Sequence, residues 1–252
     1  LEATARMSAT ALFATAAIGY GTRAKIGMML PSVNSIAEPQ INAMLPAGVS
    51  LHTTRLRLVG GGGHLAMLDR LEEATQLLAD LQVDRIMFHC TAVSMWSPEI
   101  PDEIRRRIAT VTATPVVVTS DAVVSALAAF DAKNIVLLTP YVQEINDREL
   151  RFLAHNGINV LQELGLGIPG GIGMASVAAE RWYDEAISMR RPDADGYFLS
   201  CTTIRSADVI EVLEAALERP VFTSNQVAIW RALRDAGISD AVGGFGRLLR
   251  EK

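Results

Sequence analysis

The chain has 252 residues, 50% of them hydrophobic and 20% charged, with 23 basic against 28 acidic side chains, a net charge of −5 and two cysteines. Such a length buries a large core as one α/β domain or two half-sized lobes without disulfide or metal staples, and the apolar content excludes a disordered chain. A small acidic excess without runs of like charge argues against a nucleic-acid footprint, and no basic amphipathic helix suggests a membrane surface, so the expected partner is a small molecule.

Residues 9–19 (ATALFATAAIG), with Arg6 ahead of them, form the only early apolar stretch. It is too short to span a bilayer and no small-residue cleavage site follows it, so residues 1–24 read as an N-terminal extension of a cytoplasmic protein whose thiols stay free. From there β-branched runs alternate with helical spacing, the signature of βα units around parallel sheets. In chain order the reading is strands at Lys25–Leu30 and Val49–Leu56, a helix at Leu65–Leu81, a strand at Arg85–His89, a helix at Glu99–Ala109, a strand at Pro115–Thr119 and a helix at Asp121–Phe130. It continues with a strand at Asn134–Thr139, a helix at Val142–Asn156, a strand at Asn159–Gln162, a helix at Ala175–Ser188, a strand at Gly196–Ser200, a helix at Ala207–Leu217, a strand at Val221–Ser224 and a helix at Gln226–Ala236. Ser97-Pro98 and Ser120-Asp121 serve as helix starts, and Asn156-Gly157 as a stop. Gly19-Tyr-Gly-Thr-Arg-Ala24 has GxGxxA form but precedes its strand, which contradicts a dinucleotide site. Gly60–Gly63 lacks the Lys-Ser/Thr of a phosphate loop and reads as a flexible cover over a cleft.

An internal echo organises the chain. Phe88-His-Cys-Thr-Ala92 is followed, after a helix, by Thr114-Pro-Val-Val-Val-Thr-Ser120; Leu199-Ser-Cys-Thr-Thr203 is followed, after a helix, by Arg219-Pro-Val-Phe-Thr-Ser224. The expected architecture is α/β, with two similar pseudo-symmetric lobes, each a short parallel sheet flanked by helices. Residues 25–130 form the first lobe, which regains the C-terminal segment 226–252, and residues 131–225 form the second. The two Cys-Thr strand ends then face one interlobe cleft.

That position decides the chemistry. Ligands of open parallel sheets sit outside the carboxyl ends of the strands, where the next helix presents unpaired N–H groups. Cys90 and Cys201, 111 positions apart, both lie there, and neighbouring amide dipoles are expected to favour their thiolates. Thr91, Thr202 and Thr203 add hydroxyls and amides where a carboxylate rests and where developing charge is absorbed. Two thiols on opposite sides of one carbon suit proton removal from one face and return on the other; one thiolate alone suits addition to an activated double bond. A single buried cysteine is ordinarily core, but the duplicated Cys-Thr placement argues for function. Asn34, after the first strand, is a helix cap or a ligand donor, and Tyr141, after the fifth, a packing tyrosine or a carboxylate donor. Arg205 could neutralise an anion but reads first as a salt-bridge residue in the first turns of a helix. His89 points away from the Cys90 side, and His52, His64 and His155 lack metal-ligand spacing, so no metal is expected.

The ordered set Leu30-Pro-Ser-Val-Asn34 with Glu38-Pro39, His89-Cys-Thr91, Leu138-Thr-Pro-Tyr141 with Asn146, Ser200-Cys-Thr202 with Arg205, and Thr223-Ser-Asn-Gln226 with Trp230 resembles the maleate cis-trans isomerase and arylmalonate decarboxylase group of the aspartate/glutamate racemase superfamily. The resemblance, from about Lys25 to Gly246, implies a cofactor-free two-lobe enzyme acting on small carboxylates, and a homo-oligomer is expected. By motif, Cys90 resembles the isomerase nucleophile and Cys201 its proton-handling partner, with Asn34, Thr91, Ala92, Tyr141, Thr202 and Thr203 around the substrate. The decarboxylase branch carries glycine in place of the first cysteine, which favours two-thiol isomerase chemistry here. One departure points away from maleate itself: in Leu166-Gly-Ile-Pro-Gly-Gly-Ile-Gly-Met174, where the isomerases supply an asparagine, only glycines and apolar residues stand. The expected function is a two-cysteine isomerase of a small mono- or dicarboxylate, by thiolate addition or proton transfer. The alternatives are an arylmalonate-type decarboxylase using Cys201 as proton donor, or an amino-acid or hydantoin-type racemase.

Overall fold

The apolar strand runs assemble into two four-stranded parallel sheets, seen in a computed structural model that describes residues 20–58 and 63–252. Most of the N-terminal extension and residues 60–62 of the expected cover lie outside the described residues. The first sheet contains β1 (Ala24–Pro31), β2 (Val49–Leu56), β3 (Arg85–Phe88) and β4 (Val116–Val118), in the order β2-β1-β3-β4. The second contains β5 (Asn134–Thr139), β6 (Asn159–Gly165), β7 (Gly196–Leu199) and β8 (Val221–Thr223), in the order β6-β5-β7-β8. The two orders are the same, and the lobes are pseudo-symmetric α/β units. The inner strands β1 and β5 are buried along nearly their whole length, as both faces of a parallel sheet must be when helices cover them.

Helices flank each sheet: α1 (Ala37–Ala43), α2 (Leu71–Asp80), α3 (Thr91–Ser94), α4 (Ile100–Ala109) and α5 (Thr119–Ala129) in the first half. The second half carries α6 (Gln143–His155), α7 (Gly171–Ala175), α8 (Ala179–Ser188), α9 (Ile210–Leu217), α10 (Ser224–Asp235) and α11 (Gly246–Glu251). Three expected helices are broken. Leu65–Leu81 opens with a 3-10 turn at Leu65–Arg70 and leaves helical geometry at Arg70 (φ −115°, ψ 26°) before α2. Ala207–Leu217 likewise opens with a 3-10 turn, Ala207–Val209. In the third, Ser176 Oγ donates back to the Gly173 carbonyl (2.7 Å), closing α7 before α8 begins. Ser120-Asp121 is not a cap: α5 starts at Thr119, so both residues lie in its first turn. By contrast α10 has a complete capping box between Thr223 and Gln226.

The helix after β8 joins the halves. Although α10 follows the second sheet, it packs on α5, α1, β3 and β4, and α11 then lies against α9, α10 and β8. Across the same junction the Arg148 guanidinium of α6 sits 3.6 Å from the centre of the Trp96 ring, a cation–π contact between the lobes. No helix among the described residues is long and apolar enough to cross a membrane.

Candidate active site

The carboxyl ends of β3 and β7 open into one cavity of about 260 Å³. Of the eight residues singled out in the sequence, Cys90, Thr91, Ala92, Tyr141, Cys201, Thr202 and Thr203 all line it; Asn34 does not. Asn34 stands one layer back. Its Oδ1 accepts the N–H groups of Ile36 and Ala37 (2.9 Å each), which caps α1, while its Nδ2 donates to the Thr202 carbonyl (3.1 Å) and hydroxyl (3.0 Å). The cap and site readings of Asn34 thus merge, because one amide holds the helix start and the second Cys-Thr turn together. Arg205 is exposed and outside the cavity wall, and forms no ion pair among the described residues.

The two cysteine turns are equivalent in the sheets and different in detail. Strand pairing sets Phe88 beside Val118 and Leu199 beside Thr223, so residue 224 takes the place of residue 119. The Thr-Ser echo read from the sequence is therefore out of step by one position. Cys90 is in extended geometry (φ −154°), and α3 begins at once behind it, with the N–H groups of Val93 and Ala92 directed at its sulfur. Cys201 has φ +137°, a region that L side chains rarely occupy, and its sulfur accepts the Thr203 N–H at 3.3 Å.

Ser224, at the start of α10, links the two turns. Its Oγ accepts the Thr91 hydroxyl (2.9 Å) and the Cys201 N–H (3.0 Å). Next to it, Asn225 accepts at Oδ1 from His89 Nε2 (2.8 Å) and donates to Gln40 Oε1 (2.6 Å); Gln40 in turn donates to the Ile204 carbonyl (3.0 Å). His89 Nδ1 lies 3.0 Å from Thr119 Oγ1. Burial lowers the His89 pKa to about 4, so the ring is neutral, and its role is to brace the seam beside Cys90. Sequence reasoning did not assign these seam residues. Ser224, Asn225 and His89 fall within motifs of the family resemblance, Thr223-Ser-Asn-Gln226 and His89-Cys-Thr91, but nothing in those letters shows that they meet.

Burial reverses one expectation. It pushes the Cys90 thiol up to about 12 and that of Cys201 to about 11, outweighing the nearby amides, so both hold their protons at neutral pH. Cys201 also raises Cys90, as one negative charge resists a second nearby. The Tyr141 hydroxyl lies against the Cys201 sulfur and favours its charged form, while its own pKa is raised by burial first and then by Cys201. The amides act on the sulfurs in the expected direction, but the cost of moving a charge out of water is larger.

Tyr141 is positioned by a turn in which Thr139 Oγ1 accepts the Tyr141 N–H (3.1 Å) and donates to Asn146 on α6, while Asn146 Nδ2 donates to Glu163 Oε2 (2.9 Å). Gly165 on β6 makes room for this turn: a Cβ there would lie 2.8 Å from both the Tyr141 carbonyl and Asn146 Nδ2. Gly165→Ala is expected to lower stability by about 1–3 kcal/mol through overpacking, seen as a lower thermal midpoint.

Away from the sulfurs the walls are apolar. Val33, Leu58, Ile145, Ile168 and Met174 line the remainder, together with Gly170 and Gly171. His64 is the only other ionisable side chain among the described lining residues, and burial lowers its pKa.

The sequence model of the arylmalonate decarboxylase family matches residues 26–249. The chain belongs to that family. More broadly it is a member of the maleate isomerase and arylmalonate decarboxylase group of the aspartate/glutamate racemase superfamily, and it is an enzyme of this isomerase and decarboxylase kind. It is 27% identical over 240 residues to the maleate isomerase of Nocardia farcinica, spanning 90% of this chain and 96% of that one. It is 34% identical over 143 residues to the arylmalonate decarboxylase of Bordetella bronchiseptica, spanning 56% and 60%. Among solved structures, a cysteine-to-alanine maleate isomerase from Pseudomonas putida S16 with maleate superposes with a TM-score of 0.85 at 24% identity, covering 90% and 97% of the two chains. A glycine-to-cysteine, cysteine-to-serine variant of arylmalonate decarboxylase in liganded form gives 0.84 at 26% identity, covering 91% and 100%.

Proposed function

We propose that this family member is a two-thiol isomerase of a small carboxylate, with Cys90 and Cys201 as the reacting groups. One observation carries the reading: the two sulfurs arrive from equivalent strand ends of two sheets at the wall of a single cavity. The substrate carboxylate rests at the Thr91–Ala92 and Thr202–Thr203 end, where backbone N–H and hydroxyl groups stabilise the charge that develops when the adjacent carbon becomes carbanion-like. Both sulfurs start protonated, so catalysis begins when the reacting thiol passes its proton to a carboxylate oxygen of the entering substrate, which returns it when the product leaves. The resulting thiolate either adds to the double bond of a cis-enedioate, permitting rotation and elimination, or removes a proton from one face while the second thiol returns one to the other. The relatives named as maleate isomerases support this chemistry.

The apolar walls favour a second reading, a decarboxylase of a substituted malonate, as the relative named arylmalonate decarboxylase suggests. There the bond to the departing carboxylate breaks, its electron pair passes to the α-carbon, and the Cys201 thiol supplies the proton. Turnover of maleate, substituted malonates and enantiopure carboxylic and amino acids, run in deuterium oxide without added cofactor, separates the two. The isomerase reading expects Cys90→Ala and Cys201→Ala each to lose about 10²–10⁴-fold in kcat. Full activity in Cys90→Ala with loss in Cys201→Ala overturns it in favour of the decarboxylase. Deuterium at the substrate carbon marks proton exchange, and its absence marks addition and rotation.

A further inference from the structure

Glu149 lies on α6 with 2% of its surface exposed, and neither carboxyl oxygen has a well-formed hydrogen bond. Buried carboxyls without partners are rare, because an ionised one forfeits its hydration. Its neighbour is Ser200, the residue before Cys201, whose own hydroxyl is buried and unpartnered; the two groups approach without the geometry of a formed bond. The charged or titratable groups acting on this spot come from three sides: Glu163 on β6, Tyr141 at the end of β5, and Cys201 at the end of β7. None is a cation. The mechanism above makes no use of Glu149, yet its charge acts on both the tyrosine hydroxyl and the sulfur at the cavity wall.

We propose that Glu149 is a positioning residue that controls Cys201 through its own proton: the neutral acid leaves Cys201 and Tyr141 unopposed, and the ionised form, facing the Ser200 hydroxyl, opposes negative charge on both. Burial pushes the Glu149 pKa up to about 7, with the Ser200 hydroxyl opposing the shift and Glu163 reinforcing it, so the switch between the two forms falls near neutrality. A rising pH then has two opposite effects on Cys201, since hydroxide favours the thiolate while the emerging Glu149 charge disfavours it. The consequence is a Cys201 titration displaced toward alkali relative to that of an enzyme with a neutral group at position 149.

This inference rests on Cys201 being a reacting group for its meaning in catalysis, but its test needs no substrate, so it stands or falls separately from the isomerase reading. The test is Glu149→Gln, which keeps shape and removes the charge. Alkylation of Cys201 by iodoacetamide in the full chain, followed by peptide mass spectrometry from pH 6 to pH 10, is expected to show a several-fold faster rate in the variant above pH 8, with a smaller change at Cys90. A structural role alone would shift the unfolding midpoint and leave the alkylation curve in place, and that result overturns the proposal. A measurement on the unaltered protein guards against misfolding of the variant. Infrared difference spectra should show a protonated carboxyl band that persists through pH 6 and fades near pH 7. Absence of any such band at pH 6 also overturns the proposal.

Discussion

At position 201, glycine is expected to be more stable than alanine, by about 1–2 kcal/mol, while at position 90 the order should be the usual one, alanine above glycine. All four variants lack a thiol, so the comparison isolates the backbone. Cys201 is held at φ +137° and Cys90 at φ −154°. A side chain in the first of these regions costs on the order of 1–3 kcal/mol, and glycine relieves that cost. Against it stands the larger unfolded-state entropy of glycine, about 0.4–1 kcal/mol, which leaves a net gain at 201 and a net loss at 90. Loss of the sulfur itself contributes little to the difference, since alanine and glycine both remove it. Urea denaturation of Cys201→Gly, Cys201→Ala, Cys90→Gly and Cys90→Ala reads the outcome directly. The same order at both positions would show that the Cys201 turn is unstrained. On the reading proposed above, the strained Cys201 is kept for turnover that Cys201→Gly loses by about 10²–10⁴-fold, so relief of strain and activity move in opposite directions. Such a trade is expected where a turn is held for chemistry and not for packing.

How far the sequence reveals this site depends on which force dominates at each residue. All eight strands were legible, because β-branched apolar runs between turn residues have few other uses, and the shared topology of the sheets follows from the echo around Cys90 and Cys201. The short α1 went unread: seven residues give too little periodicity, although Pro39 suits its first turn. The echo also misaligned Thr119-Ser120 with Thr223-Ser224, since identity of letters says nothing about register, whereas the pairing of Phe88 with Val118 and Leu199 with Thr223 fixes it. Thiol reactivity failed for a different reason. The favourable amides around Cys90 and Cys201 are local and visible in the sequence, but the desolvation that outweighs them depends on how deeply the whole fold buries each sulfur. Glu149 shows the same limit. A carboxyl on an amphipathic helix ordinarily reads as solvent-facing, and only packing against β6 and the Ser200 turn reveals it as buried.

The residue-level shift brings Ser224 into the position from which the two halves of the site are tied, and its removal should lower both stability and turnover. Ser224 is fully buried, and its oxygen is the acceptor for a hydroxyl from one lobe and a backbone N–H from the other. In Ser224→Ala, Thr91 can rotate its hydroxyl elsewhere, but the Cys201 N–H is fixed by the chain and has no other acceptor among the described residues. A buried donor left without a partner costs about 1–3 kcal/mol, and with the loosened Thr91 the expected destabilisation is on the order of 2–4 kcal/mol. Ser120→Ala is the control. It removes a hydroxyl that is also buried but has no partner, so it should leave stability nearly unchanged or raise it. The effect on catalysis follows from the same bonds: freeing the Cys201 turn moves one sulfur relative to the other, and a displacement of about 1 Å between reacting groups costs about 10²-fold in rate. Thermal unfolding of both variants, with kcat on whichever carboxylate the enzyme turns over, tests the two statements separately. Equal stability of Ser224→Ala and Ser120→Ala would mean that the Cys201 N–H finds another acceptor and that the lobes are joined by the Asn34, Gln40 and Arg148 contacts and the packing of α10 without it. A large difference would place the junction of the two cysteine turns at a single oxygen atom, which accounts for two pseudo-symmetric lobes presenting their sulfurs to one cavity as a fixed pair.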